Sequence, residues 1–227
     1  MTVTYDSSRP TIVRVEADAT DEVLSALAEG RPFEGSADVD QDLLIMIAGI
    51  LRESRGQLTL TTSDAESFLE HRIALAAHGL LRRTRITPTA DELAISPTAV
   101  LPGVVLQLAG ISPTEPLESD VQISLPQSCS PQSALTSEDR ARTAVWKELA
   151  TLAQGLPPAT NRSVEATPGR LVRLARQRPE GEDSVDVFLL AGRYLLTRPS
   201  SFGTTLVGSD PTEVTRALVR VMLPRSA

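Results

Sequence analysis

His71 and His78 lie seven residues apart, Cys129 stands among serines and prolines, and Glu180, Glu182 and Asp183 form a short acidic run. These are the side chain types from which a metal or nucleophile site is built. On a helix, a seven-residue separation puts both histidines on one face, two turns apart. Zinc instead takes an i,i+4 pair with a third ligand. The two histidines therefore read as surface or capping residues. Cys129 has no neighbouring His or Lys to favour its thiolate, so it reads as an incidental thiol. The acidic run falls between two strand-like stretches and reads as a solvated hairpin turn. The chain contains no G-x-S-x-G, P-loop or G-x-G-x-x-G pattern. The expectation is a protein that is not an enzyme and takes no metal or cofactor.

Composition narrows the remaining classes. The chain has 227 residues with 22 basic and 29 acidic side chains, a net charge of −7, one cysteine and 3% aromatics. A single cysteine excludes an internal disulfide and so a stapled secreted framework. Acidity and scarce aromatics argue against nucleic acid, which needs basic patches and stacking rings. An apolar fraction of 41% is enough for a real core. The opening MTVTYDSSRP lacks the basic and apolar regions of a signal peptide. The strongest apolar run, Leu43–Leu51, is too short to insert in a membrane, which takes about 20 residues. A cytoplasmic protein is expected.

The elements that must position any site are read from periodicity and punctuation. Thr11–Val15 alternates as a strand, and Asp21–Glu29 reads as a helix with Thr20 as cap and Gly30 past its end. Asp40 or Asp42 opens a second helix to about Arg55. Its middle is apolar nearly all round, which predicts full burial. Gln57–Thr61 is a strand. Ser63 and Glu66 have capping-box spacing and predict a helix through Phe68, Ile73 and Ala76, ending at Gly79. Strands follow at Leu80–Thr87, Val104–Leu108 and Val121–Leu125. Residues 126–137, rich in Ser, Pro and Gln, read as a loop between an N-terminal half, 1–125, and a C-terminal half, 138–227. A long helix from Thr136 or Ser137 runs to Gln154, with a stripe of Ala141, Ala144, Val145, Leu149 and Leu152. After a further loop come strands at Leu171–Arg176, Val185–Leu190, Tyr194–Thr197 and Thr204–Val207. Asp210, Pro211 and Glu213 then start a final helix. Short connections between the last four strands predict an α+β fold: antiparallel sheets packed with helices, either one compact domain or two duplicated halves.

Two functional readings remain. In the first, the helix expected at 63–79, its terminal glycine and the following Arg82, Arg83 and Arg85 form a winged-helix regulator with the arginines facing phosphate. The acidic region before them would repel DNA.

The second reading comes from the C-terminal stretch. Val185-Asp186-Val187-Phe188-Leu189-Leu190-Ala191 runs into Gly192-Arg193-Tyr194-Leu195, and Thr204-Thr205-Leu206-Val207 and the helix from Asp210 follow. This resembles the C-terminal end of the EspG family, the ESX (type VII) secretion-associated proteins of actinobacteria. Ala74–Leu81 is similar to an Ala-rich step of that family. The resemblance implies a cytoplasmic, non-enzymatic chaperone that holds the apolar helical tip of a secreted PE–PPE-like substrate. The final meander is the expected contact surface, with Val187, Leu189, Arg193 and Tyr194 as candidate partner-binding residues. Both faces of Val185–Leu190 carry apolar residues, so one face is open to a partner or both are packed internally.

Overall fold

The computed structural model describes residues 3–5, 11–112, 114, 116–118, 121–157, 169–178, 180–200 and 203–223. The chain folds as two units. Unit 1 takes Met1–Thr59, Leu69–Val104 and Arg176–Gly181, and unit 2 takes Leu60–Phe68, Val105–Ala175 and Glu182–Ala227. The fold class is α+β, as the short connections predict.

Unit 1 is an antiparallel sheet covered by two helices. Its strands are β1 (Val3–Tyr5), β2 (Ile12–Glu16), β4 (Phe68–Leu75), β5 (Gly79–Thr87) and β6 (Ala90–Pro97), with β3 (Gly56–Asp64) entering by its first residues. Here the strand order is β1-β2-β6-β5-β4-β3. Helix α1 (Thr20–Glu29) ends at Gly30 in the left-handed conformation, as expected. Thr20 is its first residue rather than its cap: its hydroxyl donates to the Glu16 carbonyl. Helix α2 (Gln41–Glu53) is capped by Asp40, whose carboxylate accepts from the amides of Asp42 and Leu43. The core joins Val13, Val15, Leu81, Leu93 and Ile95 of the sheet to Val23 and Leu27 of α1 and Leu43, Ile47 and Ile50 of α2. Gly79 permits the close approach of α2, since a Cβ there would lie 2.9 Å from Ile50 Cδ1. Helix α2 is not buried all round: Ile45 is 66% exposed and Met46 is 49% exposed.

Two elements depart from the expected secondary structure. The helix predicted from Ser63 is instead a turn followed by strand β4. The Asp64 carboxylate, not Ser63, accepts from the amides of Glu66 and Ser67. Beyond the turn, His71 and Ile73 point inward while Arg72 points out, a two-residue period set by pairing with β5 (His71 opposite Thr84, Ile73 opposite Arg82). Tertiary pairing overrides a helix-favouring composition here. The reverse holds for Val104–Leu108, predicted as a strand. It lies in helix α3 (Leu101–Ala109), where buried Leu101, Val105 and Ala109 recur every four residues.

Unit 2 likewise consists of antiparallel strands with its own helices. Strands β8 (Arg170–Arg178, present here to Ala175), β9 (Gly181–Leu190), β10 (Arg193–Ser200), β11 (Gly203–Ser209) and β7 (Gln122–Ser124) lie in the order β8-β9-β10-β11-β7. The acidic run is at the β8–β9 hairpin, as expected, and Glu182 pairs with Arg173. Residues 126–137, expected to join two halves, lie within unit 2. They form a short 3-10 turn and helix α4 (Pro131–Ala134), and their Cys129 and Ala134 are fully buried. Helix α5 (Asp139–Ala153) buries Arg142, Trp146 and Leu149, so its inner face is rotated from the expected alanine stripe and Ala144 is exposed. The loop expected after it, residues 158–168, lies outside the described residues. Helix α6 (Pro211–Met222) starts as predicted, with the Asp210 carboxylate accepting from the Glu213 amide at 2.8 Å. Val214, Leu218, Val221 and Met222 form its buried stripe.

Candidate functional site

Two of the titratable candidates, His71 and Cys129, are core residues. His71 is buried on β4, not on a helix, and its Nδ1 is 2.7 Å from the Thr84 hydroxyl. Burial, with Arg82 adding to it, lowers its pKa to about 4. His78 is exposed in the turn before β5. Cys129 is enclosed in the unit 2 core, and burial, helped by Glu148, pushes its thiol up to about 11. A thiol held protonated is a poor nucleophile. Among the described residues, no three of His, Cys, Asp and Glu gather as metal ligands.

The three arginines of β5 do not form a phosphate-facing row. Arg82 binds Glu92 at 2.9 Å, Arg83 binds Asp91 at 2.8 Å and also Asp21, and Arg85 binds Asp91. Burial alone would raise the Asp91 pKa. Hydrogen bonds from Arg85 and Arg83 outweigh it and hold the carboxyl below its usual range. The winged-helix reading thus lacks both of its supports, since residues 68–75 are a strand and the arginines are neutralised by acids of their own unit.

The C-terminal meander is where a groove is found. Leu190 and Arg193 are paired across a two-residue turn in which Ala191 (φ 46°) and Gly192 (φ 69°) both have positive φ. That is the pattern of a type I′ hairpin, whose twist matches the strands. The turn brings the end of β9 beside α5. There a groove of about 950 Å³ opens in unit 2. Its apolar lining comes from Trp146, Ala150 and Ala153 of α5 and from Leu189 and Leu190, while Asp64, Glu66 and Arg170 are its charged residues. Burial raises the Asp64 pKa, but the Ser67 hydroxyl and the amides of Glu66 and Ser67 bring it below the ordinary value. The carboxylate is therefore ionised at neutral pH.

Of the four residues expected to touch a partner, the structure brings one to this groove. Leu189 is half-buried and lines it. Val187, Arg193 and Tyr194 are interior, at 1%, 6% and 2% exposure. The Tyr194 hydroxyl is not wet: it accepts from the Ser112 amide at 2.9 Å and donates to the Ser112 carbonyl at 3.1 Å. Arg193 donates to the Pro116 carbonyl, and Asp186 lies 3.7 Å from Arg173. At the inner end of β9 both faces are packed: Val187 is buried on one and Phe188 and Leu190 are buried on the other.

Trp146 went unrecognised in the sequence, and Ser63 was read there only as a helix cap. The Trp146 ring packs on Phe188 with centroids 6.4 Å apart, and its indole N–H donates to Ser63 Oγ at 3.4 Å. Ser63 Oγ in turn donates to the Ala134 carbonyl at 2.6 Å. One buried hydroxyl thus holds the groove's tryptophan and the α4 terminus together. The available signal was that Trp146 is the sole tryptophan of the chain. Ser63→Ala removes the partner of two buried polar groups and should cost about 1–3 kcal/mol. Urea unfolding followed by Trp146 fluorescence measures it, and an unchanged midpoint would contradict the role.

No family model matches the chain, and no curated protein matches it. Among solved structures, the fold is similar to that of the Mycobacterium tuberculosis type VII secretion system chaperone EspG5, solved in complex with a PE25-PPE41 dimer. The identity is 10%, the TM-score is 0.51, and the match covers 96% of this chain and 98% of that one. This likeness is one of fold, extending over nearly the whole of both chains.

Proposed function

We propose that this protein is a cytoplasmic chaperone that binds a secreted helical protein of the PE–PPE kind and covers its apolar helical tip. The observation that carries the reading is the fold likeness to a type VII secretion chaperone along nearly the full chain. The groove of unit 2 adds physical support. Apolar side chains of Trp146, Leu189, Ala150 and Ala153 suit an apolar helix end, and Asp64 and Arg170 offer charge of both signs to the polar residues around it. No described helix is long and apolar enough to cross a membrane.

The experiment is co-expression with a PE–PPE-type pair encoded beside the gene, followed by size-exclusion chromatography. A co-eluting heteromer is expected for the parent chain. Leu189→Asp places a charge on the groove lining and should weaken the complex at least tenfold, about 1.4 kcal/mol. Circular dichroism of the free variant checks that its fold is retained. If no such pair forms a complex, the reading fails. If the complex forms and Leu189→Asp leaves it intact, the partner binds elsewhere than in this groove.

A further inference from the structure

Arg170, at the start of β8, is half-buried and lines the groove of unit 2. Its guanidinium lies against Gly110, where an added Cβ would be 2.5 Å from Arg170 Nη1. Gly110 has a φ of 65° and follows the last residue of α3. Two of the last α3 carbonyls are already served there, since the amides of Gly110 and Ile111 donate to Gln107 and Leu106. Among the described residues, none accepts a hydrogen bond from the Arg170 guanidinium or forms an ion pair with it. Asp64 is near enough to feel its charge, but that carboxylate accepts from the amides of Glu66 and Ser67 and from the Ser67 hydroxyl. A groove with an apolar lining at Trp146 and Leu189 thus holds a planar fork of donors that lacks an acceptor.

We propose that Arg170 is the specificity-determining residue of this groove, and that it reads the C-terminal end of a partner helix by donating to the main-chain carbonyls left open there. The inference rests on the chaperone reading and adds the polarity of the helix that enters. An apolar helix end offers a groove no side-chain charge, but its backbone still has a direction. The first turn presents open N–H groups, and the last turn presents open carbonyls with a partial negative charge. An N-terminal end would need acceptors, and the Asp64 carboxylate is engaged by its own turn. Glu66 is exposed and stays hydrated. A C-terminal end needs donors, and the Arg170 fork supplies them in one plane. The Asp64 charge beside the guanidinium offsets its own, so the site favours a neutral carbonyl over a partner carboxylate. Trp146, Leu189 and Ala153 take the apolar side chains of that last turn.

The test uses the full chain and the PE–PPE-type pair encoded beside the gene, with the dissociation constant read by isothermal titration calorimetry. Arg170→Leu should raise it by about tenfold or more. Arg170→Lys keeps a charged donor without the fork and should raise it less. A photo-crosslinking residue in place of Ala150, which is exposed and lines the groove, should capture the pair at the last turn of a helix or just after it. Changing the Asp and Glu residues of the captured segment to Asn and Gln should leave the affinity within about twofold, because carbonyls are read there. Four outcomes each overturn the inference and leave the chaperone reading in place: an Arg170→Leu variant that binds like the parent, a Lys variant no better than the Leu variant, capture at the first turn of a helix, or a large loss on removing the partner's acids. A pair that the parent chain does not bind overturns that reading, and the inference with it. Circular dichroism verifies that each variant is folded before its affinity is read.

Discussion

Replacing Asp91 by Asn should destabilise unit 1 by about 3 kcal/mol, near the low end of what breaking one side of a buried ion pair costs. The Asp91 side chain is 1% exposed and holds both Arg83 and Arg85. Arg85 is 47% exposed and can return to water, but Arg83 is 15% exposed and cannot do so freely. The contact of Arg83 with Asp21 moderates the loss, since it leaves that guanidinium one anion. Asp91→Leu with Arg83→Met should recover most of the stability, because neither residue then leaves a buried charge without its counterion. Urea unfolding, with hydrogen exchange on β5 and β6 to localise the effect to unit 1, measures both. A loss below about 1 kcal/mol for the single variant would mean that water reaches the network.

His71 should make the protein acid-sensitive in a window above that of its carboxylates. Its folded pKa is lowered to about 4, chiefly by burial, against an ordinary value of 6.5. Above 6.5 the ring is neutral in both states and its full contribution is present. As the pH falls below 6.5 the unfolded chain takes up a proton that the folded chain refuses until about 4. Stability is therefore lost across that interval, and the gap corresponds to about 3 kcal/mol. His71→Gln keeps a polar partner for Thr84 and has nothing to titrate. Plotted against pH, parent and variant should diverge between 6.5 and 4 and run parallel below. Curves parallel throughout would show that water solvates the imidazole in the folded chain.

These two groups show where sequence reading reached its limit. His71 and His78 seemed to share a helix face because residues 66–78 are rich in helix-favouring types. In the structure one is buried in a sheet and the other is exposed in a turn. The arginines of β5 were identified along a strand, and the strand is there. Their acids, Asp91 and Glu92, come from the adjacent strand, a pairing that no local spacing reveals. Likewise Ser63 and Glu66 matched a capping box, yet Ser63 serves Trp146 and Ala134, 83 and 71 residues away. In the groove, Leu189 was legible because the C-terminal meander could be read from its turns. Trp146 and Arg170 were not, because the rotation of α5 against the sheet sets what faces the opening.

By itself, the sequence determined what local chemistry controls. The Asp40 and Asp210 caps, the left-handed stop at Gly30, the hairpin around Gly181 and Gly192 and the strands from Leu171 onward all follow from short-range rules, and together they define the α+β class. The tertiary structure alone decided which apolar residues are covered. It buried Val187 and Tyr194, half-buried Leu189 in a groove, and left Ile45 and Met46 facing solvent on a helix that reads as apolar all round. Burial depends on what lies across the sheet or over the helix, and residues far apart in the chain supply that cover. Which surfaces of this fold stay open is fixed at that level.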